Sequence, residues 1–175
     1  MTALIVVESM FGNTRKVAEL IGSALSKRLP VEIVDVDEAP KTLSDEVTLL
    51  AVGGPTHAFG MSRDGTREAA VEKGATGAST AGIRDWLESV RGITPRLPAI
   101  AFDTRVHKKF VPGSAGRAAS RRLERLGCTM VEAPISFYVD DITGPLVAGE
   151  EQRVFDFAEM LLRDLERRGL LPDAA

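Results

Sequence analysis

Short hydrophobic runs alternate with amphipathic segments along the chain. Runs rich in valine, leucine and isoleucine are typical of strands that are covered on both faces, as in a parallel sheet between helices. The last two runs, residues 129–131 and 135–139, are separated near Pro134, and we interpret them as one interrupted strand. The predicted strands are residues 3–7, 31–34, 47–52, 99–102, and 129–131 together with 135–139.

The segments between these runs have the periodicity of helices. Their apolar residues recur every three or four positions, and several segments end at a glycine or a proline. The predicted helices are residues 14–29, 66–72, 83–90, 114–126 and 150–168. Alternating strands and helices predict right-handed crossovers and a doubly wound parallel sheet, with a ligand crevice at the carboxyl ends of the strands. We therefore expect one three-layer α/β domain over residues 1–175.

Composition narrows the possible functions. The chain has 22 basic and 25 acidic side chains, a net charge of −3, which is not that of a nucleic-acid-coating protein. Its single cysteine, Cys128, cannot form an intramolecular disulfide, and no spacing of candidate ligands indicates a metal site. Apolar runs are shorter than the roughly 20 residues of a membrane span, and the first residues do not resemble a signal peptide. We expect a cytoplasmic protein that binds no nucleic acid and no metal and does not insert into a membrane.

The loop after the first strand, Glu8 to Thr14, is the strongest candidate for chemistry. A helix that begins after such a turn offers unpaired N–H groups and a positive dipole end, and Ser9, Asn13 and Thr14 add polar side chains. The same residues could also serve only as helix caps. The loop lacks the lysine of a Walker motif and the three glycines of a dinucleotide fingerprint. If it binds phosphate, a monophosphate suits it better than a triphosphate with magnesium.

The pattern Ser9-x-x-Gly12-Asn13-Thr14-x-x-Val17-Ala18 after a strand resembles the FMN phosphate-binding signature of flavodoxins. Two further loops, residues 53–60 and 102–105, stand where that family has its isoalloxazine loops. The resemblance implies a five-stranded sheet in the order 2-1-3-4-5, noncovalent FMN, and electron shuttling between redox partner proteins, with no catalytic side chain. The residues that it assigns to FMN binding are Ser9, Met10, Phe11, Gly12, Asn13, Thr14, Pro55, Thr56, His57, Ala58, Phe59, Gly60, Phe102, Asp103, Thr104 and Arg105.

The chain departs from common flavodoxins in two respects. Aromatic residues make up only 5% of it, and Trp86 and Tyr138 lie outside the three loops, so the candidates for stacking on the flavin are His57, Phe59, Phe11 and Phe110. We expect Trp86 to be a core residue because its apolar neighbours have helical spacing. The extended segment from Met61 to Thr80 has no obvious counterpart in short flavodoxins, and long loops often carry function.

Other functions remain open at this stage. An FMN-dependent NAD(P)H quinone reductase or flavin-linked reductase on the same fold would use a wider cleft, and the segment 61–82 could supply it. A phosphate-receiver domain should end its first strand in an acidic pair and its third in an aspartate, which this chain does not. A module that has lost the flavin is the third alternative.

The partners of a carrier would be proteins. Residues 103–125 contain seven basic and two acidic side chains, and Arg117, Arg121 and Arg125 share one helix face. Such a face could dock an acidic redox partner or could simply be solvated. We expect a monomer.

Overall fold

A parallel sheet forms the middle layer of the molecule. The computed structural model describes residues 1–57, 59–77, 80–107 and 112–172. The strands among these residues are β1 (Thr2–Val7), β2 (Val31–Asp35), β3 (Val47–Pro55), β4 (Pro98–Val106), β5 (Thr129–Met130) and β6 (Ile135–Val139). Their order is β2-β1-β3-β4-β5, with β6 also paired to β4, and all of these pairs are parallel. The strand order implied by the sequence resemblance is confirmed.

The fifth position of the sheet is shared by two strands. Pro98 of β4 pairs with Thr129 of β5, and Phe102 of β4 pairs with Ile135 of β6. Both strands therefore lie along the same edge of β4, one after the other, and the connection between them takes up a shift in register. Proline has no N–H to donate to a ladder, which suits Pro134 to this break. The prediction of one strand interrupted near Pro134 is confirmed.

Helices cover both faces of the sheet. They are α1 (Asn13–Leu25), α2 (Asp64–Glu72), α3 (Ile83–Ser89), α4 (Ala115–Arg125) and α5 (Glu150–Arg167). Alternate residues of β1 point to opposite faces: Ile5 and its neighbours pack with α1 and α5, whereas Leu4 and Val6 pack with α3 and α4. Both faces of β1 are buried from Ala3 to Val7, and these residues are all apolar. The three-layer arrangement predicted from the sequence is confirmed.

Two central strands extend further than the sequence predicts. β3 continues to Pro55 because it goes on pairing with β4 as far as Thr104, and β4 continues to Val106 because it goes on pairing with β6. A Cβ atom at Gly53 would lie 2.1 Å from Cζ of the Phe102 ring, so only glycine leaves room for that ring. The residues that we predicted to be loops at 53–55 and 102–105 are therefore strand residues, and loops begin only after them.

Several side chains have the structural roles expected of them. Trp86 is buried, and its Nε1 donates to the Pro40 carbonyl at 3.0 Å. Ser114 caps α4, with its hydroxyl accepting a hydrogen bond from the Arg117 N–H. Cys128 is buried, and burial raises the pKa of its thiol to about 11. Among the described residues, no helix has the length and apolar character that crossing a membrane requires.

Candidate cofactor-binding cleft

The loop between β1 and α1 presents unused hydrogen-bond donors. Gly12 is the N-cap residue of α1 and has a φ of +85°, a left-handed conformation that favours glycine. Ser9 Oγ accepts a hydrogen bond from the Arg15 N–H at 3.1 Å, which holds the loop against the helix. The hydrogen bonds among the described residues leave the N–H groups of residues 10–14 unused. Together with the positive end of the helix dipole, these donors suit an anion.

Three threonine side chains connect this loop with the ends of β3 and β4. The hydroxyls of Thr14 and Thr104 lie 2.7 Å apart in a buried contact. The Thr56 N–H donates to the Thr104 carbonyl at 2.9 Å, and Thr56 Oγ1 accepts from the Ala115 N–H at 2.8 Å, at the start of α4. The Thr14–Thr104 pair needs only one of its two hydrogens, and the Thr56 hydroxyl acts as an acceptor, so spare O–H donors remain for a ligand.

A cleft of about 200 Å³ opens at the carboxyl ends of β1, β3 and β4. This is the position that a doubly wound sheet favours for a ligand. Most of the residues that the sequence resemblance assigned to a cofactor meet here. Those that line the cleft are Ser9, Met10, Phe11, Asn13, Thr14, Pro55, Thr56, His57, Thr104 and Arg105.

The other assigned residues lie elsewhere. Gly12 shapes the turn without lining the cleft, and Phe59 is 59% exposed with a φ of +71°. Gly60 forms paired backbone hydrogen bonds with His57, which close a tight turn. Ala58, a candidate in that turn, and Phe110, a candidate for stacking, lie outside the described residues.

The Phe102 and Asp103 side chains are buried away from the cleft. Phe102 belongs to the core between the sheet and the helices α1 and α5. Asp103 Oδ2 accepts a hydrogen bond from the Gly116 N–H at 2.7 Å, and burial raises the pKa of its carboxyl. Asp103 therefore anchors the start of α4, and neither side chain lines the cleft.

One wall of the cleft was not predicted. It is formed by one face of α2, and the residues on that face are small or basic: Gly65, Thr66, Ala69, Ala70 and Lys73. Their spacing of three and four is that of a helix face, and small residues on such a face allow close approach of another group. In the sequence, this spacing is the signal that could have indicated a helix face lining a cleft. The opposite side is completed by Val139 at the end of β6 and by Ile142 in the turn that follows.

A buried arginine holds α2 in place. The Arg67 side chain donates to Ser62 Oγ at 3.1 Å and to Asp85 Oδ2 at 3.2 Å, and it also pairs with Asp64. It is only 6% exposed, although it projects from a surface helix. Because a buried guanidinium is costly unless it is paired, these contacts fix the position of α2.

The carboxyl group of Glu8 lies beside this arginine, at the end of β1. Glu8 Oε2 accepts a hydrogen bond from the Ile83 N–H at 3.0 Å, whereas Oε1 has no hydrogen-bond partner among the described residues. Burial raises the pKa of this carboxyl, and the positive charge of Arg67 opposes the effect. The segment that carries α2 is thus tied to the strand that leads into the cleft.

The same segment crosses the loop before α1. The Gly77 N–H donates to the Met10 carbonyl at 3.2 Å, and a Cβ at Gly77 would lie 2.5 Å from the Ser9 carbonyl oxygen. Further along, the Asp37 carboxylate accepts hydrogen bonds from the N–H groups of Thr80 and Ala81. The part of the long segment that ends at Gly77 is therefore packed against the loop before α1.

The electrostatics of the cleft are basic. Lys73, Arg105 and His57 line it, and none of its described lining residues is an aspartate or a glutamate. Burial and the positive charge of Lys73 lower the pKa of His57 below its usual value of 6.5. A lowered pKa favours the neutral imidazole, so the positive charge of the cleft comes from Lys73 and Arg105, and it favours negatively charged ligands.

Solved structures with this fold include flavodoxins. The oxidised Flavodoxin 1 from Bacillus cereus is 14% identical, with a TM-score of 0.69 over 93% of this chain and 98% of its own. The flavodoxin of Streptococcus pneumoniae TIGR4 is 18% identical, with a TM-score of 0.64 over 93% and 99%. A WrbA-like flavodoxin from Agrobacterium tumefaciens is 12% identical, with a TM-score of 0.58 over 94% and 98%.

At the level of sequence, no family model matches the chain, and no curated protein matches it significantly. Identities of this size carry information on the fold alone. The strand order is the one expected for flavodoxins, and the solved flavodoxins match over 93% of this chain. The chain therefore has the flavodoxin fold.

Proposed function

We propose that this chain binds FMN in the cleft and carries electrons between redox partner proteins. The observation that supports the proposal best is the set of unused N–H groups at residues 10–14, which lie beside the hydroxyls of Thr14 and Thr104. A phosphate monoester needs such a set of neutral donors at the positive end of a helix. The donors present therefore fit the phosphate of FMN.

The rest of the lining fits a flavin ring. Pro55, Thr56 and His57 on β3 and its loop, and Thr104 and Arg105 on β4, would contact the ring, and Phe11 and His57 are the flat side chains available to stack on it. FMN supplies the redox chemistry when it is bound, in one-electron or two-electron steps. The protein's own part is to bind, to orient and, through α2, to exclude water from the site.

The experiment is a fluorescence titration of the cofactor-free protein with FMN and, separately, with riboflavin, which lacks the phosphate. We expect FMN to bind at least tenfold more tightly, since each hydrogen bond to a charged group contributes about 1.5–3 kcal/mol. Equal affinities would contradict a phosphate site in this loop. Absence of binding by either flavin would contradict the proposal as a whole.

The second candidate function is an FMN-dependent reductase that takes electrons from NAD(P)H. The wall that α2 adds to the cleft favours it, because an enclosed cleft could hold a substrate beside the flavin. The two functions differ in turnover. A carrier loaded with FMN should not oxidise NADH or NADPH with a quinone as acceptor, whereas a reductase should do so catalytically without a second protein.

A further inference from the structure

We propose that Lys73 favours the reduced flavin over the oxidised one, and so raises the midpoint potential of the cofactor bound to this chain. The inference rests on the proposed function, and it assigns a role to a residue outside the three loops that the sequence resemblance identified. Lys73 lies at the end of α2, as its C-cap residue, and its side chain lines the cleft.

The charge of Lys73 is not neutralised by a neighbour. Among the ion pairs of the described residues, none includes Lys73. Asp64 and Asp85 pair with Arg67, and Asp103 accepts a hydrogen bond from the Gly116 N–H. The two glutamates of α2, Glu68 and Glu72, do not line the cleft. Lys73 therefore presents its positive charge to the cleft with no carboxylate beside it in the described lining.

The effect of this charge reaches across the cleft. Lys73 and His57 come from different segments and line the same space, and the lysine disfavours a proton on the imidazole. A group that disfavours positive charge there must favour negative charge in the same place, because one electrostatic potential acts on both. The cleft lining offers no carboxylate to cancel that potential among the described residues.

Reduction changes the charge of the ligand. Two electrons delivered by a redox partner protein, together with one proton from solvent, add one negative charge to the flavin ring. By linkage, a site that binds the more negative form more tightly raises the potential of the bound couple. Lys73 is exposed, so its charge acts through partly solvated space. At an effective dielectric constant of about 20, a unit charge about 10 Å away still changes such a ratio of affinities by about tenfold.

The test compares three variants of the FMN-loaded protein by potentiometry. Lys73→Met should lower the two-electron midpoint potential by about 30 mV, which corresponds to a tenfold change in the ratio of affinities for reduced and oxidised FMN. Lys73→Arg keeps the charge and should keep the potential. Lys41→Met removes an exposed lysine that does not line the cleft, and it should also leave the potential unchanged.

A second measurement needs no cofactor. NMR titration of the cofactor-free protein should show a higher pKa for His57 in Lys73→Met than in the wild type, and no change in Lys41→Met. If FMN binds and its potential is the same in Lys73→Met as in the wild type, this inference is overturned and the proposed function stands. If FMN does not bind to the wild type, the proposed function fails and the inference fails with it, whatever the NMR titration shows.

Discussion

The hydroxyl oxygens of Thr14 and Thr104 lie 2.7 Å apart, although 90 positions separate the two residues in the chain. Thr14 is in the first turn of α1, and Thr104 is near the end of β4. The contact thus joins the loop with the unused N–H groups to the strand that borders the other side of the cleft. One of the two hydroxyls donates to the other, which leaves one hydrogen free for a ligand.

Replacing these threonines by valine should separate their roles. Thr14→Val should weaken FMN binding about tenfold to a hundredfold, because it removes a donor beside the phosphate. Thr104→Val removes the hydroxyl that pairs with Thr14 but lies outside the loop before α1, and it should weaken FMN binding less. In the double variant the loss should be close to that of Thr14→Val alone, since both changes break the same contact.

Fluorescence titration with FMN and riboflavin measures these effects. The affinity for riboflavin should change much less than the affinity for FMN. An unchanged affinity for FMN in Thr14→Val would exclude this hydroxyl from the phosphate site.

A methyl group at Gly77 should disturb the cleft more than the fold. The added Cβ would lie 2.5 Å from the Ser9 carbonyl oxygen, a backbone atom, so the segment must move away from the loop before α1. We expect Gly77→Ala to weaken FMN binding. Binding measured by titration and stability measured by urea unfolding would distinguish this local effect from global destabilisation.

Gly65→Ala is the matched comparison. Gly65 lies in α2 with nothing within 4 Å of an added Cβ, so alanine should stabilise the protein by about 0.5–1 kcal/mol through its better helix propensity. A destabilised Gly65→Ala variant would show that α2 is packed differently.

Glu8 should make stability depend on pH. Burial raises the pKa of its carboxyl above the usual 4.5, so the folded protein holds this proton more tightly than the unfolded chain does. Its contribution to stability is complete below pH 4.5 and is lost as the pH rises through the folded-state pKa. Glu8→Gln keeps an acceptor for the Ile83 N–H and does not ionise. Its free energy of unfolding should therefore rise relative to the wild type between about pH 4 and pH 7.

Urea unfolding of both proteins across that range provides the measurement. Two pH profiles that run parallel would mean that Glu8 has the same pKa in the folded and unfolded chains.

The exposed face of α4 offers a test of partner docking. Arg117, Arg121 and Arg125 are exposed and have no ion pair among the described residues, whereas Arg122 pairs with Glu88. If an acidic redox partner docks there, Arg121→Glu with Arg125→Glu should slow second-order electron transfer. The effect should be larger at low ionic strength, where screening is weak.

Stopped-flow kinetics at two salt concentrations measures that rate. Lys41→Glu combined with Arg163→Glu, at two exposed positions outside α4, is the control with the same change in net charge. Equal rates for the wild type and the double variant at low salt would show that this face is only solvated.

The sequence predicts the sheet well because its strands are apolar on both faces. It misjudges the ends of β3 and β4, since Gly53, Gly54 and Pro55 have the composition of a turn. Pairing with the neighbouring strand overrides that local preference, as the register from Gly53 and Phe102 onward demonstrates. Phe102, the last residue of the predicted strand 99–102, is a core residue and does not line the cleft.

The wall formed by α2 could not be located from the sequence. Its helical pattern is visible at residues 66–72, but its place over the cleft depends on contacts between distant residues. The pairing of Arg67 with Asp85 and the hydrogen bond from Gly77 to Met10 are examples. Local periodicity carries no information on such pairs.

The cleft can form only after most of the chain has folded, because its lining residues are far apart in the sequence. Its lining begins at Ser9 and ends at Ile142, and these residues come together only when the strands and the turn after β6 have formed. A chain that extends only to β4 lacks Val139 and Ile142, which complete one side of the cleft. A ligand of this cleft would therefore bind the folded chain and not a shorter precursor, so if FMN binds as proposed, added FMN should slow proteolysis of the protein.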